Sequence, residues 1–274
     1  MAADNSTDRI KFHKDGPFFV IKLDDPGSLN ALGGPEYLYL AELLEKADQD
    51  PEIYFTVLQS SGRFFSSGAD FQSILKAQKK DSSEPELNKW LSYFVSRNVY
   101  VTGMFSRHSK DLICCMNGPA IGMSAALCAL CDIVYAMNDK VYLLYPFSSI
   151  GLVTEGGTSV TLPMKLGSSV SFESLMFSKP IKYDKLEGTI ITKNYEMSNT
   201  EEFNEAVMKD LKLKVKDLHW PSVLGIKKLV KENYVRDLER ANSVEVNDAI
   251  KYWVKGIPQR SFKQLSQKQR RHKL

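Results

Sequence analysis

The stretch LICCMNGPAIGMSAALCALC occupies residues 112–131, and no charged residue interrupts its twenty positions. A run of this length approaches what a membrane-spanning helix needs. An Asn-Gly-Pro sequence at 117–119 breaks the run early, and Asp132 ends it. These breaks predict a buried strand, a turn and then a short helix over residues 123–131, and they argue against a membrane span.

Strand-like and helix-like patterns alternate upstream of this stretch. Residues 18–23 and 53–59 are short apolar runs rich in β-branched and aromatic residues, which is typical of strands. Apolar residues recur at helical spacing over residues 36–48, and residues 87–108 fit one long helix. Strands that alternate with helices in this way predict an α/β core.

Only helical patterns follow residue 199, with segments over residues 201–218, 220–231 and 235–254. The sequence therefore predicts two parts, an α/β core over residues 1–199 and a helical region over residues 200–274. We expect the helical region to take part in subunit packing.

The composition is that of an ordinary globular protein. The chain has 274 residues, of which 43% are hydrophobic and 25% charged, so it can bury a core without disulfides or a metal. Most of the net charge of +3 comes from a basic segment over residues 263–273, which contains no acid. Such a segment is either a solvated tail or a contact for phosphates. Phe262 is the only aromatic residue beside it, so we expect no nucleic-acid site.

The four cysteines lie within the apolar stretch and include one C-x-x-C pair, Cys128 and Cys131. A structural zinc site takes four ligands, usually from two such pairs, and the second pair is missing here. Cys114 and Cys115 are adjacent, so on a strand they face opposite sides. We expect buried free thiols and no metal site.

The first ten and the last three residues bear on where the protein is located. Residues 1–10 lack a basic segment followed by an apolar one, so we expect no secretory signal. The last three residues, His272, Lys273 and Leu274, are similar to the S-K-L tripeptide that directs proteins to peroxisomes. This similarity is informative only if the chemistry of the protein also belongs in that organelle.

Two segments leave a predicted strand and enter a predicted helix, at residues 60–71 and 117–126. The first turns of helices present unpaired N–H groups and the positive end of the helix dipole. Two such ends that point to one place can stabilise a developing oxyanion. The alternative is that both segments are simple connections with small residues for close packing.

A third segment, GLVTEGGT at residues 151–158, places Glu155 between apolar residues and two glycines. Glu155 either favours the dipole of the helix that follows or lies in an apolar pocket. In an apolar pocket, desolvation raises the pKa of a carboxyl group and suits it to take and return a proton.

Five short motifs together resemble the crotonase (enoyl-CoA hydratase/isomerase) superfamily. They follow the order and spacing of that family between about residues 10 and 262. The motifs are LNAL at 29–32, SSGAD at 66–70, NGPAIG at 117–122, DIV at 132–134 and GIPQRSF at 256–262.

The resemblance implies a spiral of β-β-α units that assembles into trimers or hexamers. It also implies an acyl-CoA ligand, with no further cofactor, whose thioester oxygen lies between the backbone N–H groups of Ala69 and Met123. The substrate path implied by the resemblance is lined by Ser67, Gly68, Ala69, Asp70, Phe71 and Met123.

Within the superfamily, the departures from the pattern are informative. Hydratases use two glutamates, and the corresponding positions here hold Ala126 and Phe147, so the usual hydration chemistry is not expected. One acid remains in this region, Glu155, in a turn that is similar to the one in fungal peroxisomal Δ3,Δ2-enoyl-CoA isomerases. Arg97 and Asn98, within an RNVY sequence shared with that group, either support this acid or form a surface pair on their helix.

The resemblance therefore implies a Δ3,Δ2-enoyl-CoA isomerase that converts cis- or trans-3-enoyl-CoA to trans-2-enoyl-CoA during β-oxidation of unsaturated fatty acids. Glu155 is the expected catalytic residue. We expect a peroxisomal matrix location, reached through the import receptor that binds His272-Lys273-Leu274. Two alternatives remain, a dienoyl-CoA isomerase of the same fold and a catalytically weak CoA-binding partner subunit.

Overall fold

A computed structural model describes residues 8–79, 84–267 and 269. The strands are β1 (Ile10–Asp15), β2 (Phe18–Leu23), β3 (Phe55–Ser60), β4 (Asp111–Met116), β5 (Ala120–Ile121), β6 (Ile133–Ala136), β7 (Tyr142–Leu144), β8 (Ile181–Lys182) and β9 (Ile191–Asn194).

The helices are α1 (Gly34–Gln49), α2 (Phe71–Lys79), α3 (Glu86–Trp90), α4 (Arg97–Arg107), α5 (Met123–Leu130), α6 (Phe147–Ile150), α7 (Thr158–Leu166), α8 (Ser168–Phe177), α9 (Tyr183–Leu186), α10 (Thr200–Val215), α11 (Trp220–Glu232), α12 (Val235–Val254) and α13 (Ile257–Ser266). A π-helical turn, Leu91–Ser96, joins α3 to α4.

Six strands form the main sheet in the order β1-β2-β3-β4-β6-β9. Only the β1–β2 pair is antiparallel, and the other four pairs are parallel. Parallel neighbours need long crossovers, which the helices between the strands supply. The strands β5, β7 and β8 form a second, smaller sheet. The predicted α/β class and the spiral of β-β-α units are confirmed.

Both faces of the central strands of the main sheet are buried. On one face, residues such as Phe19, Ile21 and Cys114 belong to a large core shared with α1, α4 and α5. On the other face, alternate residues, including Cys115, pack against the apolar side of α10. The two adjacent cysteines therefore do face opposite sides of the strand, as predicted.

The C-terminal region is helical, as predicted, and its described part packs on the core of its own chain. Helix α12 lies against α4 and α7, and α13 lies against α2 and α6. These contacts bring α12 and α13 next to the loops that follow β3 and β4.

Some boundaries differ from the predictions. The single helix expected over residues 87–108 contains the π-helical turn, and the turn expected over residues 118–122 contains the short strand β5. The strand expected at residue 53 begins at Phe55, because the preceding residues form a turn stabilised by the carbonyl of Asp50.

The apolar stretch at residues 112–131 forms β4, β5 and α5 inside the core. Throughout the described ranges, no helix combines the length and apolar character that crossing a bilayer would require. The four cysteines are buried as free thiols, and burial raises the pKa of each. Among the described residues, no group of His, Cys, Asp and Glu side chains is arranged to hold a metal ion.

Candidate active site

Glu155 lies in the turn between α6 and α7. The two residues after it, Gly156 and Gly157, have φ angles of 71° and 73°, a conformation that favours glycine. A Cβ atom on Gly156 would lie 2.5 Å from the Cβ atom of Ala126. The turn therefore needs both small residues, and this close approach leaves no room for a glutamate at position 126.

Glu155 lines a cavity together with Asn98. Asn98 donates a hydrogen bond from Nδ2 to Glu155 Oε2 over 2.7 Å. Burial raises the pKa of Glu155 to about 7, although the nearby Arg97 guanidinium and the Asn98 hydrogen bond act in the opposite direction. The buried carboxylate of Glu245 adds to the increase. Glu155 is thus suited to accept and return a proton near neutral pH.

Arg97 fixes the orientation of the Asn98 amide. Its Nε and Nη2 atoms donate to Asn98 Oδ1, each over 3.3 Å. Because this oxygen accepts from Arg97, the Asn98 amide nitrogen faces Glu155. Asn98 is only 4% exposed, so the alternative of a surface pair on the helix is wrong.

The cavity itself has a volume of about 60 Å³. Its walls come from the loops after β3 and β4, from the helices α1, α2, α4, α5 and α6 with the π-helical turn, from the turn between α6 and α7, and from the C-terminal helices α12 and α13. The lining residues are Tyr37, Ser67, Gly68, Ala69, Phe71, Ile74, Phe94, Arg97, Asn98, Ile121, Gly122, Met123, Pro146, Phe147, Ile150, Leu152, Glu155, Trp253 and Phe262.

Two backbone amides reach this cavity from different loops. Met123 is the first residue of α5, so its N–H has no partner within the helix. Ala69 lies beside Leu32, yet the bonds of that bridge use the carbonyl of Gly68 and the amide of Asp70. In the described part of the chain, neither the Ala69 nor the Met123 amide is hydrogen-bonded to another group. Both N–H groups are available to an oxyanion.

The two loops are held together by close packing and by a chain of hydroxyl groups. A Cβ atom on Gly68 would lie 2.5 Å from the carbonyl oxygen of Ile121. Ser66 Oγ donates to the Asn30 carbonyl over 2.7 Å, and it lies 2.8 Å from Ser124 Oγ, which lies 3.0 Å from the Tyr37 hydroxyl. Because the chain ends on a carbonyl, each hydroxyl donates toward Asn30, which fixes the proton on every oxygen.

This hydroxyl chain was not predicted from the sequence. Serine and tyrosine are common, and Tyr37 and Ser124 are 87 positions apart. No local pattern could have indicated their contact.

Most of the predicted site residues meet at the cavity. Ser67, Gly68, Ala69, Phe71 and Met123 line it, together with the Arg97, Asn98 and Glu155 side chains. Asp70 does not line it. Its Oδ1 atom accepts from the Gln72 amide over 3.0 Å, so its side chain stabilises the first turn of α2.

The positions that hold glutamates in hydratases have other roles here. Ala126 is buried against the Glu155 turn, and Phe147 is an apolar wall of the cavity. Among the described residues that line the cavity, Glu155 is the only one with a carboxylate.

The class that this fold and cavity define is the enoyl-CoA hydratase/isomerase family. Residues 14–194 match the model of that family, and the chain belongs to it. Over 97% of both chains, it is 58% identical to 3,2-trans-enoyl-CoA isomerase of Saccharomyces cerevisiae. It is also 48% identical to Delta(3,5)-Delta(2,4)-dienoyl-CoA isomerase of the same organism, over 97% of this chain and 99% of that one.

Solved structures share the fold. An enoyl-CoA hydratase/isomerase from Mycobacterium paratuberculosis superposes with a TM-score of 0.81, over 93% of this chain and 98% of that one, at 21% identity. The resemblance to the superfamily is therefore confirmed in both sequence and fold.

Proposed function

We propose that this protein is a Δ3,Δ2-enoyl-CoA isomerase. The observation that carries the proposal is a single cavity carboxylate, Glu155, with a pKa of about 7, in a cavity that two free backbone amides also line. The 58% identity to a yeast 3,2-trans-enoyl-CoA isomerase supports the same reaction.

In the proposed reaction, the Glu155 carboxylate removes a proton from C2 of a 3-enoyl-CoA thioester. The electron pair moves onto the thioester oxygen and gives a dienolate. The N–H groups of Ala69 and Met123 stabilise that negative charge. The carboxylic acid formed at Glu155 then protonates C4, which leaves the double bond between C2 and C3. No proton is gained or lost overall, so one acid–base group is sufficient.

Asn98 and Arg97 support the carboxylate in this scheme. The Asn98 amide stabilises the ionised form of Glu155, and Arg97 holds that amide in the required orientation. Ser67, Gly68 and Phe71 form the wall along which the thioester would lie, while Asp70 contributes indirectly through α2.

A dienoyl-CoA isomerase is the second candidate, because the chain is 48% identical to an enzyme with that name. Moving a longer conjugated system calls for a second acid near the far end of the substrate. The described cavity offers no carboxylate besides Glu155, which favours the shorter substrate. A catalytically weak CoA-binding subunit is disfavoured by the raised pKa of Glu155.

The test is to incubate the purified protein separately with a trans-3-enoyl-CoA, a 3,5-dienoyl-CoA and a trans-2-enoyl-CoA. We expect the first to become the trans-2 isomer with unchanged mass, at a rate well above that for the dienoyl substrate. We expect no hydrated product from the third. Faster turnover of the dienoyl substrate would favour the second candidate, and no turnover with intact binding of the thioesters would favour the weak subunit.

We also propose that the protein is a homo-oligomer, a trimer or hexamer, in the peroxisomal matrix. Large apolar side chains are exposed on two helices and would be covered by subunit contacts; they are Phe172, Met176 and Phe177 on α8, and Ile226, Leu229 and Val230 on α11. The proposed import signal, His272-Lys273-Leu274, lies outside the described residues. Light scattering on the purified protein measures the subunit number directly.

A further inference from the structure

Helix α12 contributes a buried carboxylate to the turn that carries Glu155. Glu245 is 4% exposed, and its Oε2 atom accepts from the Gly157 amide while Oε1 accepts from the Ser159 amide, each over 2.8 Å. Both amides belong to the start of α7, where N–H groups lack partners within the helix. Glu245 therefore caps α7 from another helix and fixes Gly157 and Ser159, which lie two and four positions after Glu155.

Helix α12 is also bonded to α4, the helix that carries Asn98, the hydrogen-bond donor to Glu155. Asn242, three positions before Glu245 and on the same side of α12, donates from Nδ2 to the carbonyl of Val99 over 3.0 Å. Val99 follows Asn98 directly in α4. One face of α12 thus binds both the turn of Glu155 and the helix that supplies its hydrogen-bond donor.

A buried carboxylate at position 245 is energetically unfavourable unless its charge is compensated. The surrounding interface is apolar, with Leu238 and Val246 of α12 buried in the same core. Removing a charge from water costs several kcal/mol unless charge-assisted hydrogen bonds offset the cost. A leucine would pack here more simply, so the choice of a glutamate indicates a role beyond packing.

We propose that Glu245 and Asn242 are positioning residues of the active site, which hold the Glu155 turn and the Asn98 helix at hydrogen-bonding distance. The inference rests on the proposed function, since the Glu155–Asn98 contact matters only if Glu155 carries the proton. It assigns to the C-terminal helical region a direct part in arranging the reaction centre.

Glu245 has an electrostatic effect as well as a geometric one. The charged and titratable groups that face Glu155 are Arg97 from α4, Tyr37 from α1 and Glu245 from α12. Burial is the largest cause of the raised pKa of Glu155, and the negative charge of Glu245 adds to it. Two substitutions test charge and reach: glutamine removes the charge and keeps the length but can accept from only one of the two amides, whereas aspartate keeps the charge and shortens the side chain.

The experiment compares Glu245→Gln and Glu245→Asp with the wild type, using Glu239→Gln as a control. Glu239 is also on α12, where it forms an exposed ion pair with Arg107. For each protein, kcat and kcat/KM for a trans-3-enoyl-CoA are measured across pH. We expect Glu245→Gln to move the acidic limb of kcat/KM to lower pH by about half a unit or more, because it removes a negative charge near Glu155.

We expect Glu245→Asp to leave that limb in place but to lower kcat by about tenfold, because the shorter side chain cannot reach both amides. The control should match the wild type in both respects. An unshifted limb in Glu245→Gln, or a wild-type kcat in Glu245→Asp, would overturn the inference. If the glutamine variant does not fold, the aspartate variant decides alone.

A readout independent of turnover separates this inference from the proposed function. Carbon NMR of protein with labelled glutamate carboxyl groups follows the titration of Glu155, whose signal is assigned by its loss in Glu155→Gln. A downward shift of this titration in Glu245→Gln supports the inference even if the substrate has been misassigned. An unchanged titration contradicts it even if the enzyme isomerises 3-enoyl-CoA.

Discussion

At the scale of single residues, the proton affinity of Glu155 is a balance of opposing contacts. Burial raises its pKa to about 7, while Arg97 and the Asn98 hydrogen bond stabilise the ionised form. A lower pKa would make the carboxylate a weak base, and a much higher one would leave it protonated at neutral pH. The proposed reaction should therefore slow as the pH falls below about 7, where Glu155 becomes protonated.

The substitution Asn98→Ala tests this balance. It removes the 2.7 Å hydrogen bond to the ionised carboxylate, so the pKa of Glu155 should rise further. We expect the acidic limb of kcat/KM to move to higher pH, and kcat near neutral pH to fall by about tenfold or more. The measurement is a pH series of initial rates with a trans-3-enoyl-CoA.

The matched control for this substitution is Asn247→Ala, since Asn247 is exposed on α12 and bonds only within its own helix. An acidic limb that stays in place in Asn98→Ala, or moves to lower pH, would show that Asn98 does not stabilise the charged form.

The position of a site residue could be predicted from the sequence where the residues around it form a recognisable local pattern. Local patterns singled out Glu155 and the two strand-to-helix segments, whereas the particular amides of Ala69 and Met123 were implied only by the resemblance to the crotonase superfamily. Glu245 was missed because its partners are 86 and 88 positions away and nothing in its helix marks it as buried. Contacts of this kind depend on tertiary packing and leave no signal in one sequence.

At the scale of elements, hydrophobic periodicity located the buried strands and the longer helices. It missed β1, whose middle residues are exposed, the helix α8, and the strands β8 and β9, which are too short or too exposed to show a buried pattern. It also could not reveal the π-helical turn Leu91–Ser96, because a local change in hydrogen bonding barely alters an apolar pattern. That turn lies directly before Arg97, and its Phe94 lines the cavity.

Helix α11 is attached to the core by an ion cluster around Asp132. The Asp132 carboxylate lies 2.7 Å from Lys227 Nζ and 3.2 Å from Lys231 Nζ of α11. It also accepts a hydrogen bond from the Leu112 amide over 2.8 Å. Burial acts against ionisation, yet the two ammonium groups hold the pKa of Asp132 below its usual value. The cluster thus joins α11 to the edge of β4 through charges that are largely removed from water.

The substitution Asp132→Asn should weaken this attachment. It leaves two largely buried lysines without their anion, which costs about 3 kcal/mol of unfolding free energy and lowers Tm by about 5–10 °C. Thermal unfolding followed by circular dichroism measures the effect. Asp248→Asn, which removes an exposed ion pair with Lys251, serves as the control and should change Tm little.

The difference in Tm between the wild type and Asp132→Asn should depend on pH in a defined direction. Because the pKa of Asp132 is depressed in the folded protein, its contribution is present above the unfolded value of about 4 and is lost as the pH falls below it. The gap in Tm between the wild type and Asp132→Asn should therefore narrow in acid. Equal Tm values at neutral pH would contradict the structural role given to Asp132.

At the scale of the whole molecule, the two parts predicted from the sequence meet at one cavity. The α/β core supplies Glu155 and the two amides, and the helical region supplies Trp253 and Phe262 as cavity walls. The sequence predicted the helical character of the C-terminal region. It did not predict that this region forms part of the cavity wall, because that depends on how α12 packs on α4 and α13 packs on α2. Subunit packing by the same region stays a prediction.

The proposed cellular location is tested on the whole chain in cells. A fluorescent protein fused to the N-terminus should coincide with a peroxisomal marker, and removal of Leu274 should disperse it, because Leu274 is part of the proposed import signal. Lys268→Ala, outside the tripeptide, is the control and should not change the distribution. Fluorescence that remains in the organelle without Leu274 would mean that another segment carries the address.

The most direct test of the central claim is the rate of trans-3-enoyl-CoA isomerisation by Glu155→Gln, beside the wild type and Glu239→Gln. Glutamine keeps the size of the side chain but cannot carry the proton, so we predict a loss of about 10³-fold in kcat with an unchanged fold and near-wild-type activity in the control. A folded Glu155→Gln protein that retains most of the wild-type rate would contradict the assignment of Glu155 as the proton carrier.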